Sequence, residues 1–220
     1  AAVFVASHAL PALKPLRRAL TDILGEGLYI ALYSTATLAV LVWLGFAYAA
    51  APYVEVWPTA DGMRWLPVVV MPVACILLVA GVTSRNPFSL GAGAGGYDAA
   101  RPGIVSVTRH PVLWALILWA AVHLPPNGDA ASLILFGLFV GLALAGPPSL
   151  DAKRRGRLGD GAWTNLAAAT SNIPFVAILK GRATLDLAGI GVWRLVGGGM
   201  LYLALFLAHG PVIGVVPLDF

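Results

Sequence analysis

The strongest constraint on this chain is the length of its uncharged apolar runs. Leu28 to Ala51, Trp65 to Val82 and Ala130 to Ala145 pass without a single Asp, Glu, Lys or Arg. An α-helix rises about 1.5 Å per residue, so roughly 20 such residues cross the hydrocarbon of a bilayer. Within lipid every backbone polar group must find its partner inside the segment, which leaves helices or a closed barrel. Runs this long and this continuously apolar read as helices. Only 11% of the 220 residues are charged and 59% are hydrophobic, against about 25% charged in a soluble domain. The fold class expected is all-α, a polytopic membrane helix bundle forming one domain over residues 1–220.

Six spans fit. They are a run ending near Leu10, then Leu28 to Ala51, Trp65 to Val82, Val112 to Leu124 (extended backward), Ala130 to Ala145, and Ile190 to Ala208. Pro52, Pro58, Pro125-Pro126, Pro147-Pro148 and Pro211 punctuate their ends. Tyr53, Trp57 and Trp65 form an interfacial aromatic belt. The first run is short of a full crossing before Pro11 and Lys14, so a trimmed first span is expected there, and no basic n-region marks a signal peptide.

The charges set an orientation. Lys14, Arg17 and Arg18 lie in segment 11–27, and Arg85, Arg101 and Arg109 in segment 84–111. Segment 149–188 carries Lys153, Arg154, Arg155, Arg157, Lys180 and Arg182, whereas connections 52–64 and 125–129 hold only Arg64. Basic and poor connections alternate, which puts the basic ones in the cytoplasm. The same bias accounts for the net charge of +4 without invoking nucleic acid. Cys75 is the one cysteine, so neither a disulfide framework nor a cysteine metal site is expected.

Three connections carry patterns. "SRNPFSLGAGAGGYDAARPG" contains Gly91, Gly93 and Gly96 in a G-x-G-x-x-G register. A dinucleotide site needs that register between a strand and a helix, and here it joins two spans, so a flexible linker is expected. "GGGM" at 197–200 lets helices, or a flat ligand, approach a backbone closely. Segment 149–188 mixes charge with Trp163 and "IPFVAIL". It reads as a cytoplasmic interfacial loop in contact with anionic lipid, with Lys180 and Arg182 at the headgroups.

An imidazole in lipid must be satisfied, which makes the four histidines functional candidates. His110 adjoins Arg109 at the basic interface, where a capping or headgroup role suffices. His123 lies 14 residues beyond Arg109, about 20 Å further along a helix. Trp119 sits one turn below it on the same face. His209 ends the last span at a comparable depth, and His8 lies about 9 Å inside the basic interface. Carboxylates are nearly absent from the spans and no two histidines are three or four apart, which disfavours zinc or di-iron. Haem needs only one or two axial histidines in an apolar slot. A hydrogen-bonded structural histidine is the alternative.

"GIVSVTRHPVLWALILWAAVHLPPNGDAASLILFG", "LDAKRRGRLGD", "AATSNIPFVAILKGR", "SHALPALKPLRRAL" and "LAHGPVIGVVPL" together resemble the bacterial NnrU family and its relative, the 15-cis-zeta-carotene isomerases. That resemblance implies an integral membrane protein with haem b. It makes His8 and His123 the axial ligands, with Trp119 beside them. The isomerases use their haem to turn a central cis double bond of a polyene to trans. NnrU proteins are linked to nitrite and nitric oxide reduction. The isomerase cysteine three residues before the second histidine is Ala120 here, so thiolate ligation at that place is absent. Depth alone pairs His123 with His209 instead, which keeps His209 as the substitute ligand. The Arg-His-Pro is also similar to that of isoprenylcysteine-type membrane methyltransferases, but their paired late glutamates are missing: Glu26 and Glu55 are both early.

Three readings follow. The first is a haem b redox protein of denitrification, taking a nitrogen-oxide ligand or passing electrons. The second is an enzyme, a carotenoid cis-trans isomerase using the same haem. The third is a non-catalytic accessory subunit docked on a larger membrane complex.

Overall fold

The computed structural model describes residues 1–9 and 14–218, without the side chains of His8, Ala9, Lys14 and Asp61. Among the described residues the regular structure is all helical, with one isolated bridge between Glu55 and Asp129. The chain divides into two compact units, Ala1–Pro58 with Gly128–Leu138, and Thr59–Asn127 with Phe139–Phe220.

The first unit opens with α1 (Ala2–Ala9), α2 (Lys14–Leu24) and α3 (Glu26–Ala49), with α1 and α2 both packed on α3. Gly25, at φ 75°, separates α2 from α3; that backbone region suits glycine and ends one helix before the next begins. The long helix α6 (Ala130–Leu158) starts in this unit. Its first turn is capped by Asp129, whose Oδ1 accepts the Ser132 amide at 2.9 Å. Val56 and Trp57 both donate their amides to the Gly128 carbonyl, and the Tyr48 and Ser132 hydroxyls share a 2.9 Å hydrogen bond.

The second unit holds α4 (Trp65–Thr83), α5 (Pro111–Asn127), the rest of α6, then α7 (Asp160–Ala167), α8 (Val176–Leu179), α9 (Leu187–Ile190) and α10 (Val192–Ile213). Helix α4 packs against both α5 and α10. Small residues permit this. A Cβ on Gly198 of α10 would lie 2.6 Å from the Ile76 Cα of α4, and one on Gly81 of α4 would lie 2.7 Å from Val112 Cγ2 of α5. The expectation that "GGGM" serves close helix packing therefore holds at Gly198. Gly198→Ala is expected to destabilise the protein by about 1–3 kcal/mol through overpacking. At Gly199, where no atom lies within 4 Å of the added Cβ, alanine is expected to be neutral. Unfolding of both variants in one detergent makes the comparison.

Four helices are long and apolar enough to cross a membrane: Glu26–Ala49, Gly62–Thr83, Ala130–Leu158 and Val192–Ile213. They coincide with four of the six expected spans. Their outward residues are apolar, for instance Phe46, Val69, Ile134 and Met200, as contact with lipid requires. The other two expected spans are shorter helices: α5 has 17 residues and α1 has 8.

Two expectations are corrected. Helix α6 does not stop before Pro147-Pro148 but continues to Leu158, so the first part of the expected 149–188 loop is helical. Two prolines remove two amide donors without forbidding the turn, and the tail beyond them is tied down, as described below. The connection 84–111 is not a loose linker at its ends. Phe88 is completely buried, edge-on to Trp163 (5.5 Å) and to Tyr97 (6.2 Å). Ile104, Val105 and Val107 join the same core with Leu77, Ala80, Ala115 and Ile190. Trp163, expected at an interface, thus belongs to the interior of the unit.

Candidate functional site

Helix α5 carries a histidine near each end. Pro111 is its first residue, where a missing amide costs nothing and the fixed φ suits a helix start. Pro111 therefore begins α5 and does not kink it.

At the far end, His123 Nδ1 lies 2.6 Å from the Trp119 carbonyl one turn back. A carbonyl can only accept, so Nδ1 carries the proton, and in the neutral ring Nε2 is left with its lone pair. The Trp119 ring lies 6.0 Å from His123, tilted by 52°, and 5.3 Å from Phe139. His123 thus tops an aromatic wall, as its spacing from Trp119 implied. His209 lies near the end of α10. Its Nδ1 is 2.7 Å from the Val215 carbonyl, which fixes the same tautomer. The backbone of His8 lies in α1, but its side chain is outside the described residues, and with it the expected pairing to His123. Among the described residues, no three His, Cys, Asp or Glu side chains are grouped to hold a metal ion. A single imidazole with Nδ1 donated to a carbonyl and Nε2 as a lone-pair donor does fit an axial haem ligand, because such ligands take their orientation from that second hydrogen bond.

The near end holds a constellation that sequence reasoning passed over. His110 is completely buried, not facing headgroups as expected. Its Nε2 is 2.9 Å from Oδ1 of Asp151, on the tail of α6. Arg109 Nη2 reaches the other oxygen, Oδ2, at 2.7 Å. The Arg109 guanidinium also lies over the Trp163 ring, 5.5 Å from its centroid, a cation–π contact. The Asp151 carboxylate thus has an imidazole on one oxygen and a guanidinium on the other.

Backbone pins hold this cluster in place. Asn86 donates to the Arg109 carbonyl at 2.9 Å, while its Oδ1 accepts the Phe88 and Ser89 amides. Thr108 Oγ1 and Trp114 Nε1 both donate to the Asn172 carbonyl, at 2.6 and 2.8 Å. The Arg109 amide donates to Ser171 O, and Thr170 Oγ1 to Val105 O. Arg182, expected at the headgroups, donates instead to the carbonyls of Ala168 and Thr170. Arg194, at the start of α10, donates to Thr83 Oγ1 at 2.9 Å and Ile190 O at 2.7 Å, closing α10 onto the end of α4. Several basic residues at this end are therefore structural ties as well as topological signals. No sequence motif links His110 to a carboxylate 41 positions away; the one clue was a lone Asp just past an apolar run.

A family model described as NnrU protein matches residues 1–217. No curated protein and no solved structure matches the chain.

Proposed function

We propose, from the premise that this chain belongs to the NnrU family, that it is a haem b-binding redox protein of the bacterial inner membrane acting in nitrite and nitric oxide metabolism. The observation that carries the reading is the His123 tautomer: Nδ1–H is committed to the Trp119 carbonyl at 2.6 Å, so in the neutral ring Nε2 is the nitrogen whose lone pair would hold the iron. Haem bound there supplies one-electron chemistry at iron. The chain supplies orientation and a dry wall. The Trp119 carbonyl fixes the imidazole plane, and the Trp119 and Phe139 rings (5.3 Å apart) give an apolar face beside it. His8 is the second axial ligand by family resemblance, with His209 as its substitute. A haem held by two histidines would favour electron transfer over ligand chemistry. The basic connections face the cytoplasm, following the charge bias.

The test is an absorption spectrum of protein purified from haem-replete cells, oxidised and then reduced with dithionite. Sharp reduced α and Soret bands at one haem per chain are expected. A colourless preparation removes the reading.

A further inference from the structure

We infer that Asp151 and His110 form a proton inlet, passing protons between water at the basic end of the second unit and its buried interior. This goes beyond the haem reading and does not depend on it. The pair straddles a boundary. The Asp151 side chain is 20% exposed and that of His110 is 0% exposed, with 2.9 Å between Oδ1 and Nε2. A proton at the carboxylate edge is in contact with water, and one on the ring is not.

The chemistry follows from the hydrogen-bond inventory. Arg109 is always charged and sits on Oδ2, so the carboxylate already has its counter-ion and the imidazole need not be cationic to stay paired. Asp151 then accepts the Nε2 proton, and Nδ1 of the neutral ring presents a bare lone pair. Nδ1 is buried and has no partner among the described residues. Leaving such a group dry and unpaired costs about 1–3 kcal/mol. A purely structural tie would not need this, because Arg109 alone fastens the tail of α6. The unpaired state is what a proton acceptor requires. A protonated group arriving at Nδ1, hydronium in the simplest case, gives up its proton to Nδ1 and is left as neutral water. The Nε2 proton leaves to Oδ1 and from there to bulk water, and the same steps in reverse carry a proton inward. The charge on the ring exists only between the two transfers, and Asp151 stabilises it.

Three neighbours in the same network also have buried, unpartnered polar atoms: Arg109 Nε, Ser89 Oγ and Asn172 Oδ1. Asn172 is joined to the His110 segment through Thr108 and Trp114, and Ser89 through Asn86. These atoms offer both donors and acceptors, the complement that ordered water needs. Chains of Asp and His at such depth are the usual makings of a proton relay. The charged groups facing His110 from the packed elements are Arg109 and Asp151, with Arg154 at 3.4 Å from the Ser89 carbonyl on the same side.

The experiment is hydrogen exchange at the His110 ring, read by nitrogen-15 NMR of histidine-labelled protein in lipid nanodiscs transferred to deuterated buffer. The His110 backbone amide, bonded to Thr108 Oγ1, is the internal control for local opening. The ring proton is expected to exchange much faster than that amide. Asp151→Asn keeps an oxygen acceptor but cannot take a proton, so it is expected to slow ring exchange by about 10²-fold, the scale of general acid–base assistance. Asp151→Glu is expected to keep it fast. Ring exchange as slow as the amide in the wild-type protein overturns the inlet, and so does fast exchange that survives Asp151→Asn. If Asp151→Asn does not fold, the wild-type contrast between ring and amide decides.

Discussion

Asp151→Ala is expected to lower stability by about 3 kcal/mol, the low end of the range for removing one partner of a buried pair because the carboxylate is partly exposed. Two groups lose their partner at once. The Arg109 guanidinium, with a side chain only 15% exposed, keeps its charge over Trp163 with nothing opposite. His110 loses the one hydrogen bond of a completely buried ring. The α6 tail beyond Pro147-Pro148 also loses the tie that lets the helix continue past two missing amide donors. In detergent the melting temperature should fall by on the order of 10 °C. Arg155→Ala is the control: its pair with Asp160 is exposed on both sides and should be worth less than about 1 kcal/mol. Equal losses from the two variants would mean that the cluster bears no weight.

The spans were legible because lipid imposes one rule, that apolar length must match thickness. Leu28 to Ala51 and Trp65 to Val82 were therefore placed to within two residues at each end. The ends of α6 and α10 were misplaced because proline was read as a stop. Pro147, Pro148 and Pro211 all lie inside helices. What lies past a proline is decided by tertiary contacts, and Asp151 supplies one of them. The packing of segment 84–111 was illegible for a related reason. Glycine and alanine at 91–96 look like linker, yet Asn86 and Phe88 just before them are fixed by partners far along the chain.

The site divides the same way. The Trp119–His123 face followed from helical periodicity alone and is seen. The Nδ1 bond to the Trp119 carbonyl is also a local, four-residue contact and could have been anticipated. His110 is the reverse case. Adjacency to Arg109 suggested water, but burial is a property of what packs over a residue, and His110 meets Asp151 on the α6 tail. An Arg-His pair next to a span is therefore ambiguous until the distant carboxylate is known.

His123→Ala is expected to abolish haem binding while leaving the fold intact. The side chain is half-buried, and its hydrogen bond to the Trp119 carbonyl lies within its own helix. Loss of that bond should cost roughly 1 kcal/mol. Haem affinity, by contrast, should fall by more than the 10–100-fold that losing an outer partner of a metal ligand costs, because the ligand itself is gone. Pyridine haemochrome content per chain, measured alongside thermal unfolding, separates the two effects. Imidazole added to the His123→Ala protein should restore the Soret band, since a free imidazole can occupy the vacated position; a merely structural histidine gives no such rescue. His209→Ala then identifies the companion. If His8 is the second ligand, the His209 variant keeps full haem content with an unshifted spectrum. If the reduced bands move or vanish, His209 is the second ligand. Haem content unchanged in His123→Ala would reject His123 as a ligand, and its bond to Trp119 would then be only the local satisfaction of a polar ring in an apolar helix.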